Sequence, residues 1–125
     1  MPVKTLTISC LIAYASAAID RFTIDPATRT IRDSHGRVRI FHGQNVVVKL
    51  PNYLPTTDSF NFEYSMTAED FTYLKSWGTK IIRLGVMWES VERSPGVYDM
   101  DYLAKVENLI NQLGENDMTV IVDNH

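Results

Sequence analysis

Apolar and polar positions alternate along this chain in two different periods, and the change from one to the other marks out its elements. Residues 22–41, "FTIDPATRTIRDSHGRVRIF", read as one or two β-hairpins, with turns at Asp25-Pro26 and Ser34-His35-Gly36 and with Val38, Ile40 and Phe41 set among polar neighbours. "GQNVVV" (43–48) is β-branched and uncharged, which predicts a buried strand. After it, "LPNYLPTTDSFNFEYS" (50–65) carries Pro51 and Pro55 and predicts a long loop. Thr67, followed by Glu69 and Asp70, predicts a helix start; Phe71, Leu74 and Trp77 give its apolar face and Gly78 its stop.

The pattern then repeats. "KIIRLGV" (80–86) predicts a second strand, "MWESVERSPGVYD" (87–99) a second long loop, and Leu103, Val106, Ile110 and Leu113 the stripe of a second helix ended by Gly114. "MTVIVD" (118–123) is the third strand. A β-hairpin followed by β-α-β-α-β is an α/β arrangement with parallel strands joined by crossovers. In such folds the loops at the carboxyl ends of strands carry the site. Here those loops are the long ones, while the connections around Gly78-Thr79 and from Gly114 to Asp117 are short.

Composition adds the N-terminal segment. "MPVKTLTISCLIAYASA" places Lys4 before an apolar run from Leu6 to Ala13 and then Ala15-Ser16-Ala17, the order of a secretory signal peptide over residues 1–17. That run is too short to span a bilayer, which takes about 20 residues. The expected protein is secreted or extracellular, with a lysosomal or gut-lumen destination giving the same pattern. Cys10 is the only cysteine and lies inside this segment, so a mature chain over 18–125 would be held by its core and not by a disulfide. The net charge of −3, with no basic run, gives no reason to expect nucleic acid.

Strand polarity gathers three candidate side chains on one rim. Lys49 follows the first strand, Arg83 lies in the second, and His125 ends the third. Neighbouring strands lie about 4.8 Å apart, so two cations and an imidazole would suit an anionic or hydroxyl-rich ligand, or orient carboxylates. Each also has a plainer use: a solvated lysine, a structural ion pair for an arginine inside "IIRLGV", an incidental histidine. Asp123 reads as a hydrogen-bonding strand end and not as an acid catalyst. No phosphate-binding glycine loop, HExxH or G-x-S-x-G occurs, and His35, His42 and His125 lack metal-ligand spacing. Glu89 and Glu92 are three residues apart on one loop, unlike a glycosidase pair, and read as loop or salt-bridge residues.

"FHGQNVVVKLPNYLP", "SWGTKIIRLGVMWESVERSPGVYD" and "VIVDNH" resemble the opening of glycoside hydrolase family 5, the cellulase-type (β/α)8 TIM barrels, and within it the endoglycoceramidases. The likeness runs over about residues 22–125, with "NVVVKLPNYLP" pointing to that branch. Gln44, Val48 and Asn124 depart from the family's usual residues. The resemblance implies the N-terminal part of a TIM barrel, incomplete, with the hairpin at 22–41 and the first βαβαβ units at 43–125. It implies retaining hydrolysis of the β-linkage between oligosaccharide and ceramide, needing no metal or organic cofactor. Arg83 would support the nucleophilic glutamate, while His125 and Lys49 would contact sugar. The acid/base and nucleophile glutamates belong to later strands, so this chain alone is expected to be inactive. A family 5 β-glucanase, a glucosylceramidase-like hydrolase, or a truncated, non-catalytic glycolipid-binding protein are the alternatives. Tyr53, Leu54, Phe60 and Phe62 would either hold an amphiphilic lipid, through a peripheral contact with membrane lipids, or simply pack their loop.

Overall fold

A computed structural model describes residues 22–125, so the signal-type segment and Cys10 lie outside the described residues. The chain divides into two compact units, the first ending at Arg39 and the second running from Ile40 to His125.

In the first unit, β1 (Thr23–Asp25) and β2 (Thr30–Arg32) pair antiparallel, with Asp25 opposite Thr30. Both turns stand where the sequence puts them. Asp25 closes the first by accepting the Ala27 N–H (3.0 Å), and its other oxygen takes the Arg32 guanidinium at 2.9 Å. Gly36 turns the second with φ of 74°, a left-handed conformation that costs glycine least. Asp33 organises this turn. It accepts from the backbone N–H groups of His35 and Arg37 at 3.0 Å each and from both Arg37 and Arg39 side chains. The expected apolar alternation does not continue: Val38 makes a single bridge to Arg32 and Ile40 is almost wholly exposed.

The second unit is built on three parallel strands, β3 (Gly43–Val46), β4 (Ile81–Val86) and β7 (Thr119–Asn124), in the order β3-β4-β7. One face of β4, Ile82, Leu84 and Val86, is buried in a core with Phe71 from α1 (Ala68–Ser76) and with Tyr102, Val106, Leu109 and Leu113 from α3 (Met100–Glu115). Leu54, within the first loop, and Met66, just after it, join the same core.

Four expectations are corrected. The strand over 43–48 stops at Val46 and is not buried: as an edge with one neighbour among the described residues, Gly43, Gln44 and Asn45 are exposed. The 87–99 segment is no plain loop but contains a helical turn, α2 (Trp88–Val91), and a small antiparallel pair, β5 (Glu92–Ser94) with β6 (Val97–Tyr98). Trp77 lies at the end of α1 and is exposed, stacked on Tyr73. Helix α3 passes through Gly114 and closes at Asn116, with Asp117 taking the left-handed turn at φ of 62°; the Asp117 carboxylate pairs with Lys75 at 2.8 Å.

Candidate active-site rim

The opposite face of the sheet is the polar one. Along β4 the side chains alternate, so Arg83 and Gly85 point away from the Ile82-Leu84-Val86 core face. Register places Asn45 of β3 directly opposite Arg83 and Asp123 of β7 opposite Gly85. Asp123 is therefore on the same face as Arg83, one pleat nearer the carboxyl ends.

These placements give a bonded chain across all three strands. The Arg83 Nη1 group donates to Asn45 Oδ1 at 2.6 Å, and Nη2 donates to Asp123 Oδ2 at 2.6 Å. The same Oδ2 lies 3.3 Å from His125 Nδ1. The histidine backbone is fixed on both sides, its N–H donating to the Val86 carbonyl (3.0 Å) and its carbonyl accepting the Trp88 N–H (3.1 Å). Gly85 leaves room beside this group for Val47: a Cβ at that position would sit 2.9 Å from a Val47 methyl carbon.

The chemistry follows from the donor inventory. Arg83 cannot deprotonate, and with a carboxylate and an amide oxygen holding its plane it presents a fixed positive fork. With Nδ1 turned to Asp123, a neutral His125 keeps Nε2 as an acceptor, suited to a hydroxyl group. Arg83 is 45% exposed and Asp123 26%, so the pair orients the site more than it stabilises the fold.

Of the three residues read from the sequence, the structure unites Arg83 and His125 through Asp123. Lys49 is exposed on the segment after β3, with no hydrogen bond or ion pair joining it to that group. Asp123 is the strand-end hydrogen-bonder expected of it. Asn45 was not singled out; its signal is a polar side chain set into the apolar run "NVVV". Glu92 accepts the Gly96 N–H at 2.6 Å inside the β5–β6 turn. Glu89 takes a hydrogen bond from the Tyr53 hydroxyl and thereby raises that phenol's pKa. A cleft of about 990 Å³ lies between residues 51–58, α2 and α3, lined by Tyr53, Glu89, Arg93 and Lys105 but by none of the rim group. Among the described residues no cluster of histidine, cysteine or carboxylates is placed to hold a metal ion.

The sequence profile of Cellulase (glycosyl hydrolase family 5) matches residues 42–125, the whole of the parallel sheet and its helices. The chain belongs to glycosyl hydrolase family 5. Its sheet and helices are accordingly the opening units of a (β/α)8 barrel, seen here as an open three-stranded piece. An endoglycoceramidase from Cyanea nozakii is 31% identical over 103 residues, covering 82% of this chain and 20% of the relative. A glucosylceramidase from Cryptococcus neoformans is 33% identical over 105 residues, covering 73% of this chain and 14% of that protein. Among solved structures, endo-glycoceramidase II from Rhodococcus sp. in complex with ganglioside GM3 superposes with a TM-score of 0.58 at 30% identity, over 74% of this chain and 19% of that one. The family 5 chain thus spans about a fifth of the length of the endoglycoceramidases it matches.

Proposed function

We propose that this chain supplies the opening strands of a secreted, retaining glycoside hydrolase that cleaves the β-linkage between the glycan and the ceramide of glycosphingolipids. The observation that carries this reading is the Arg83–Asp123–His125 group, standing toward the carboxyl ends of parallel strands in a family 5 chain whose relatives include endoglycoceramidases. A retaining enzyme needs two carboxyl groups about 5 Å apart, one as nucleophile and one as acid/base. Arg83 holds positive charge beside the place where a nucleophilic carboxylate must stay ionised. His125 accepts from a hydroxyl of the sugar next to the cleaved bond, and Lys49 reaches outward to the glycan.

The assay uses the natural secreted protein on a lactosyl-type glycolipid dispersed in detergent. Release of an intact oligosaccharide together with ceramide supports the reading, and Arg83→Lys lowers kcat by about 10²-fold, the cost of misplacing a group at the reacting centre. The likeness to a glucosylceramidase favours one second reading, cleavage of single glucose from ceramide. It predicts glucose as the sugar product from glucosylceramide, with the longer glycan left uncut.

A further inference from the structure

Within the second unit, residues 56–66 form a closed loop whose base and tip differ in character. At the base, the Thr56 N–H donates to the Tyr64 carbonyl (3.1 Å) and the Met66 N–H to the Thr56 carbonyl (2.8 Å), while Leu54 and Met66 are buried. At the tip, the Asn61 side chain accepts the Glu63 N–H (2.9 Å) and the Tyr64 N–H (3.2 Å), and its carbonyl takes the Ser65 N–H and hydroxyl. The residues on either side of this tied asparagine are Phe60 and Phe62, 78% and 83% exposed. The loop is closed by its backbone and its Asx turn, and among the described residues neither phenyl ring is buried.

Charge narrows what could cover them. Between Lys49 and Lys75 the chain has no lysine or arginine, only Asp58, Glu63, Glu69 and Asp70. Asp58 and Glu63 are exposed within this loop, close in sequence to the two rings. An anionic leaflet would repel such a tip, whereas a surface of zwitterionic or uncharged headgroups would admit the rings at no electrostatic cost.

We infer that Phe60 and Phe62 form a lipid-docking tip that inserts into the interface of membranes with net-neutral headgroups. The inference rests on the glycolipid reading for its biological setting, since a substrate anchored by its ceramide is met at such an interface. Docking needs no turnover, so the two are tested apart. In density-gradient flotation with phosphatidylcholine vesicles, the protein rises with the lipid, and aggregated protein stays below. Phe60→Ser/Phe62→Ser lowers the floating fraction's partition coefficient about tenfold or more, from the loss of two buried rings. Far-UV circular dichroism of the double variant matches the parent. Replacing a third of the lipid with phosphatidylserine weakens flotation of the parent, and added salt restores it.

Equal flotation of parent and double variant overturns the inference, as does stronger flotation with phosphatidylserine. A parent dimer that the double variant makes monomeric, with no vesicle binding, would also overturn it and make the tip a self-contact. Hydrolysis of detergent-dispersed glycolipid without vesicle docking leaves the glycolipid reading standing and this inference refuted. Docking without hydrolysis does the reverse.

Discussion

The side chain of Asp33 is fully buried, and burial alone would raise its pKa. The hydrogen bonds from Arg37, Arg39 and the His35 N–H outweigh that and hold the carboxyl well below its ordinary value of 3.8. The unfolded chain therefore takes up this proton first. Stability from Asp33 is fully present above the ordinary value and is lost as pH falls through the depressed one. We expect the Asp33 carboxyl resonance to titrate well below the ordinary aspartate value by NMR, and Asp33→Asn to flatten the acid dependence of hairpin melting. Unchanged acid dependence in that variant would refute this. At this scale the sequence is readable wherever a charge stands in an apolar run, since Arg83 inside "IIRLGV" demanded a partner. Asn45 escaped notice because its bond to Arg83 exists only through the pairing of two strands far apart in the chain. Lys49 carries no such demand: strand order alone sets it beside the rim, and the structure does not join it to the group.

Helix α3 shows how a cap sets the phase of an element. The Asp99 carboxylate accepts the Tyr102 N–H at 2.9 Å and pairs with Arg93 at 3.0 Å. With the helix started there, Tyr102 and Leu109 are buried, while Leu103 and Ile110, the residues picked out by periodicity, are only half-buried. The apolar stripe was legible, but its centre lay one residue away, because an apolar face about 100° wide contains both choices. The Tyr102 hydroxyl then bonds the Tyr53 carbonyl at 3.2 Å, tying the helix to the first loop. Asp99→Ala should cost about 1 kcal/mol, the usual loss for an N-cap, read as a lower denaturation midpoint with an unchanged slope. No shift in midpoint would contradict the capping role. Gly114 is passed for a related reason: a glycine inside a long helix is tolerated, and the left-handed turn falls on Asp117, a residue type that adopts it more readily than most.

For the molecule as a whole, β3 and β7 are sheet edges among the described residues, and Ile121 and Val122 on β7 are 51% and 55% exposed. Unpaired apolar edges recruit other strands. Light scattering of the 125-residue chain should therefore show self-association that grows with concentration, and a monomer with a cooperative melt would contradict it. The parallel order was readable from the change of period, whereas what covers each edge is a property of pairing that no local pattern records. The tie from Asn45 through Arg83 to Asp123 has a last implication. It forms only when β3, β4 and β7 are all aligned, and a slip of one residue in β7 would turn Asp123 to the opposite face. The rim is thus a checksum on assembly: a sheet slipped by one residue cannot make the Asn45–Arg83–Asp123 tie, so the bonded group itself reports that all three strands are in register.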